Sequence, residues 1–257
     1  MPFTAIYEAR GRRLIYVGTR HEVSRRSATF RAIDRAFAQR PQGVLVEGFP
    51  SSWGVNPERV LAPVRAAYFN PNAADSYVRG DPGYTMQHAI GRRIPIYGGE
   101  PDGADVDRAL MQQGFNPTEV ASVKMLQALP QGEIAGEFRD NRDPRFRAFL
   151  DREAARIARD YTFGLIFSRE IYEHWHQREF GVSVYEDRDY VRRLDPTRPG
   201  RAAEISRAMT LVRDRHIFGE IMRLTARYER SLVVYGGGHL QTQWRALWAA
   251  MGRPRIV

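Results

Sequence analysis

The chain has 257 residues, 43% hydrophobic and 27% charged, the balance of folded globular protein and not of a disordered tract. It has no cysteine, which excludes a disulfide framework, a cysteine nucleophile, a thiolate-held iron–sulfur cluster and Cys-rich zinc sites. The formal charge is +9, yet of 39 lysines and arginines only Lys124 is lysine, and the arginines are scattered and often flanked by acids, as in Glu186-Asp187-Arg188-Asp189; this is a global arginine preference more than a phosphate track, and nucleic acid is not the expected partner.

At the amino terminus, Met1-Pro2-Phe3-Thr4-Ala5-Ile6-Tyr7 has no basic region leading into an apolar run, and no run of about 18 apolar residues occurs anywhere. Neither a signal peptide nor a membrane span is expected, and the expected location is the cytoplasm. Phe3 to Tyr7 and Leu14 to Val17 flank a turn at Gly11 and form a hairpin. Ser27 to Arg40 places Phe30, Ile33, Ala36 and Phe37 at helical spacing, and Pro41-Gln42-Gly43 ends that helix before the strand Val44 to Val46. Pro57 opens a helix over Glu58 to Phe69, and a shorter one around Tyr84 to Ile90 precedes the strand Ile94 to Tyr97. Helices over Ala104 to Gln113 and Thr118 to Leu129 follow, then a loop-rich passage marked by Pro130, Gly132, Gly136 and Pro144.

Phe146, Phe149, Leu150, Ile157 and Tyr161 predict a long helix that extends toward Trp175, with Gly164 as its break point. Glu186 to Arg201, charged and holding Pro196 and Pro199, is expected to be an exposed connection. A second long helix, Ala202 to Tyr228, leads to the strand Ser231 to Tyr235, three glycines, and a helix over Leu240 to Met251 with Trp244, Leu247 and Trp248 on one side. Strands interleaved with helices define an α/β fold with a largely parallel sheet. The expected organisation is a single α/β domain over 1–257 with an N-terminal hairpin and a mainly helical insertion over 101–200.

Four strands end in similar polar residues: Gly18-Thr19-Arg20-His21, Glu47-Gly48, Gly98-Gly99-Glu100 and Gly236-Gly237-Gly238-His239. Ligands of open α/β sheets collect at the carboxyl ends of strands, so distant parts of the chain converge on one crevice. Two imidazoles and two carboxylates without a thiolate suit a divalent ion such as Mn, Co, Fe or Zn, which would acidify a bound water and polarise a carbonyl.

Gly18-Thr19-Arg20-His21, Val46-Glu47-Gly48, Gly99-Glu100, Arg213-Asp214 and Gly236-Gly237-Gly238-His239-Leu240, in that order, resemble the TraB, PrgY, GumN and Tiki superfamily. The resemblance covers about the first 100 and last 50 residues. It implies a fold related to the erythromycin esterase and ChaN group and, from Tiki, a metal-dependent protease activity. Carried over by position, it makes His21 and His239 metal ligands or acid–base groups, Glu47 a ligand or general base, and Glu100 a second carboxylate in the same cleft. Arg213-Asp214 departs from the Arg-Asn often found in the family. Ionised aspartate only accepts hydrogen bonds, so Asp214 is open to pairing with an arginine, orienting a histidine or capping an edge. Arg20 is unusual beside a cation and could attract an anionic group of the substrate.

The expected function is therefore a metal-dependent hydrolase of peptide or ester type. It would use Mn, Co or Zn on His21, Glu47 and His239, with Glu47, Glu100, Arg213 and Asp214 serving the chemistry. Its ligating histidines must be neutral, so activity falls in mild acid. The alternative is a noncatalytic module on the same scaffold that binds haem, a small ligand or a peptide. Walker A, GxSxG and HExxH patterns are all absent, which disfavours a P-loop, a serine hydrolase despite Ser51 and Ser52, and a zincin. His88, His174, His176 and His216 are expected in packing or surface roles, and Trp244 and Trp248 in the core.

Overall fold

Val44-Leu45-Val46 and Leu232-Val233-Val234 are buried throughout, the signature of inner strands covered on both faces. The computed structural model, which describes residues 2–20, 22, 26–68, 80–161, 164–195 and 197–257, places both runs in a six-stranded sheet. Its strands are β1 (Phe3–Ala9), β2 (Arg12–Thr19), β3 (Gly43–Pro50), β4 (Ile96–Glu100), β5 (Arg230–Gly236) and β6 (Arg255–Ile256), in the order β4-β3-β5-β2-β1-β6. The first four of that order are mutually parallel, and β1 and β6 add an antiparallel edge. The chain is thus α/β with a mostly parallel sheet and the expected N-terminal hairpin.

The chain divides into two compact units, Met1–Asp102 with Arg213–Val257, and Gly103–Val212. In the first, alternation along the strands sends Ile15, Val17, Val44, Val46, Leu232 and Val234 to one face. There they meet the apolar sides of α1 (Ala28–Ala38), α2 (Glu58–Tyr68) and α3 (Gly80–Gly91). Leu14, Tyr16, Leu45, Val233 and Tyr235 point the other way, against Ile217, Ile221 and Leu224 of α8 (Arg201–Arg227) and Leu240 and Leu247 of α9 (Gly237–Met251). Ser27 starts α1 by accepting the Phe30 N–H at 3.2 Å.

The second unit is helical: α4 (Gly103–Gln112), α5 (Pro117–Ile134), α6 (Pro144–Asp160) and α7 (Arg169–Phe180), together with the first part of α8. Leu126, Leu129, Phe146, Phe149, Tyr172 and Trp175 form its core. Asn116 and Glu119 cap α5 reciprocally.

Several local expectations are corrected. Helix α5 runs through Pro130 and Gly132 where a loop was expected. Gly132 is there for close packing, since a Cβ would lie 2.5 Å from the Phe149 ring and 2.7 Å from that of Phe138. The break expected at Gly164 comes three residues sooner, where Tyr161 leaves helical geometry at ψ 112°, and Gly164 itself has φ +67°. The segment from Glu186 to Arg201 is not simply exposed: Asp187 and Tyr190 are buried, with Arg193 bonded to the Asp187 carboxylate at 2.8 Å. Trp248 is 45% exposed and lies outside the core.

Candidate active site

Register sets the position of Glu47. Strands β3 and β5 pair Val46 with Val234, so the next residue of β3 carries its carboxylate to the end of β5. There Glu47 Oε2 accepts the N–H of Gly236 at 2.8 Å, at the N-terminus of α9, where the helix dipole favours negative charge. Gly48 follows with φ +105°, and the pairing register between β3 and β4 shifts beyond Val46.

Glu100 ends β4. A side chain at Gly99 would collide with the Tyr235 hydroxyl, so the close approach of β4 to Tyr235 requires glycine at that position. Arg213 of α8 grips Glu100 with both arms of its fork, Nε donating to Oε2 at 2.9 Å and Nη2 to Oε1 at 3.0 Å, while Nη2 lies 3.9 Å from Glu47 Oε1. Burial would lower the Arg213 pKa, but the paired Glu100 outweighs it and holds the guanidinium more firmly protonated than usual.

Asp214, the next residue, is buried and accepts hydrogen bonds from His239 Nδ1 at 2.7 Å, Gln243 Nε2 at 3.0 Å and the Thr242 hydroxyl. Burial alone would raise its pKa; the bonds from His239, Thr242 and Gln243 prevail and hold it below the usual carboxylate range. An ionised carboxylate only accepts, so Nδ1 of His239 donates to Asp214 and Nε2 is left to face Glu47. Nε2 lies 3.8 Å from Glu47 Oε1. Tyr235 stands edge-on to the imidazole, ring centroids 5.5 Å apart.

Five of the expected site residues, Glu47, Glu100, Arg213, Asp214 and His239, are thus linked in one cluster on strand ends and the two helices α8 and α9. His21 lies outside the described residues. Before it, the Thr19 hydroxyl donates to Asp81 Oδ2 at 2.5 Å and the Arg20 carbonyl accepts from the Thr29 hydroxyl at 3.1 Å. Thr242, Gln243 and Tyr235 were not singled out from the sequence, although the first two follow His239 by three and four residues and so share its helical face. The buried hydroxyls of Tyr16 and Tyr235 make no hydrogen bond among the described residues.

For a metal, the donor set at hand is His239 Nε2 and Glu47 Oε1. Their 3.8 Å separation matches two ligands that each sit ~2.1 Å from one ion, and the Asp214 contact behind the imidazole is the usual support of a ligating histidine. Glu100 is committed to Arg213, and among the described residues no group of three or more histidine and carboxylate side chains is arranged to hold an ion. Ser51 also approaches a histidine, His216 Nε2 at 2.9 Å. Glu220 faces that same nitrogen at 3.5 Å and does not stand behind Nδ1, which is not the geometry of an activated serine. His176 is fully buried, with Nδ1 at 3.0 Å from the Val182 carbonyl, and His88 stacks on Phe37. No protein-family model, curated protein or solved structure matches the chain.

Proposed function

We propose that this protein hydrolyses an amide or ester bond in a peptide or small molecule, at the cluster formed by Glu47, His239, Asp214, Arg213 and Glu100. The observation that carries this reading is the Asp214–His239 pair, which aims Nε2 at the Glu47 carboxylate across 3.8 Å. Glu47 receives a proton from the attacking water as its oxygen bonds to the carbonyl carbon. That proton passes to the leaving nitrogen or oxygen as the C–N or C–O bond breaks, so water is added across the bond and no other reactant is consumed. Asp214 orients His239 through Nδ1, and Arg213 offsets the negative charge of two adjacent carboxylates. A divalent ion such as Mn, Co or Zn, bound by His239 and Glu47 with His21 of the first motif, would acidify the water and polarise the carbonyl.

The arginine excess supports a peptide or small molecule over nucleic acid, because many arginines are spent locally: Arg156 on Glu153, Arg169 on Asp151 and Glu173, Arg223 on Glu220. The test is twofold. Chelator-treated protein is titrated with Mn, Co and Zn, and a peptide mixture is assayed by mass spectrometry. His239→Ala is expected to weaken ion binding and Glu47→Gln to abolish cleavage. Stoichiometric ion binding unchanged in His239→Ala removes the metal, and cleavage that survives Glu47→Gln removes the hydrolase. Peptide binding with no cleavage would leave the noncatalytic module.

A further inference from the structure

Directly beyond Glu47 the chain builds a cleft of about 450 Å³ lined by Phe49, Trp53, Arg59, Val60 and Met86, with Glu47 at its border. Phe49, Val60 and Met86 are almost wholly buried and make an apolar floor continuous with the core. Trp53 stacks with Phe49 at 6.3 Å between centroids and remains 37% exposed. The wall that carries it is pinned. The Asn56 side chain accepts the Ile96 N–H at 2.9 Å, the Asn56 N–H donates to the Ile96 carbonyl at 2.9 Å, and Val55 bridges to Tyr97. The cleft is therefore preformed and held by the same two strands, β3 and β4, that carry Glu47 and Glu100.

Arg59 supplies the charge. Its guanidinium lies 3.0 Å from the centre of the Trp53 ring, and no carboxylate pairs with it among the described residues. A guanidinium laid over an aromatic ring keeps its in-plane N–H donors available, and their fork matches a carboxylate. We propose that this cleft receives the C-terminal residue of a peptide, its large apolar side chain against Trp53 and Pro82 over the Phe49, Val60 and Met86 floor and its free carboxylate on Arg59. This places the last peptide bond toward Glu47. The pocket deepens the hydrolase reading and rests on it for the bond that is cut, but the binding itself does not require cleavage.

The test uses the full chain carrying Glu47→Gln, titrated by calorimetry with N-acetyl-Ala-Phe, its C-terminal amide, and N-acetyl-Ala-Gly. The free acid with phenylalanine is expected to bind about tenfold more tightly than either other probe. Adding Arg59→Gln should equalise acid and amide, and adding Trp53→Ala should weaken the phenylalanine probe. Both side chains are exposed, so neither change threatens folding. Equal binding of acid and amide, indifference to Arg59→Gln, or no binding of any probe overturns the pocket. If the order of affinities holds but the wild-type chain leaves N-acetyl-Ala-Phe intact, the pocket stands and the hydrolase falls. If cleavage occurs with kcat/KM unchanged by Arg59→Gln, the hydrolase stands and the pocket falls.

Discussion

Asp214 is surrounded by three donors, so its value to the site lies in being an acceptor at both oxygens. Replacing it with asparagine would turn one oxygen into a donor that faces donors. On the proposed function, Asp214→Asn is therefore expected to lower ion affinity and turnover by roughly 10–100-fold while leaving the fold intact, as read by metal titration and circular dichroism. Gly99 offers a sharper packing test. Gly99→Ala drives a methyl group into the Tyr235 hydroxyl and 3.1 Å from Leu45, and should cost about 1–3 kcal/mol in denaturant unfolding. Tyr235→Phe in the same chain should restore part of that loss; a cycle with no coupling would show that the strand moves instead. Glu47, Glu100 and His239 were legible because each stands at the end of an apolar run beside glycine, a pattern that chain order alone exposes. The Asp214–His239 bond was not. Which of three partners Asp214 takes depends on how α8 and α9 pack on the sheet, and nothing local in Arg213-Asp214 records it.

Helix α5 shows how an element escapes sequence reading. Pro130 and Gly132 ordinarily mark a break, but here the missing side chain is what lets the Phe138 and Phe149 rings close onto the helix, and packing overrides propensity. The sheet was easier, because the buried runs of β3 and β5 are short, β-branched and bounded by turn residues, whereas the two-residue β6 is too short to leave a pattern. In α7, His176 sits fully buried with Tyr172 edge-on to it, Asp187 Oδ2 at 3.2 Å from Nε2, and Arg193 beyond. Burial lowers its pKa, and the Val182 carbonyl and Asp187 do not make up the difference. The unfolded chain therefore takes a proton near pH 6.5 while the folded one resists. Stability is full above that value and declines as pH falls toward the depressed folded pKa. Thermal melts between pH 7.5 and 5.5 should show this decline, and His176→Asn should flatten it.

Across the whole molecule, positive charge is balanced at close range and not overall. Asp187, Asp214 and Glu220 are all held below their usual range by arginine or histidine partners that outweigh burial. Each contributes stability above its ordinary pKa and loses it as pH falls through the depressed one. Below about pH 4 the 39 cationic side chains remain charged while the 30 acids are neutralised, so self-repulsion adds to the loss. Acid unfolding should begin there, and added sulfate should recover compact structure, followed by near-UV and far-UV dichroism. The clasp between Arg213 and Glu100 matters at this scale too. Its two residues are 113 apart in sequence, yet Glu100 stands just before the chain departs for the helical unit at Gly103 and Arg213 is the first residue after its return. A single fork of hydrogen bonds thus ties off the neck of the excursion beside Glu47. The pair is therefore expected to keep Glu100 and Arg213 together even where the helices between them are lengthened or shortened.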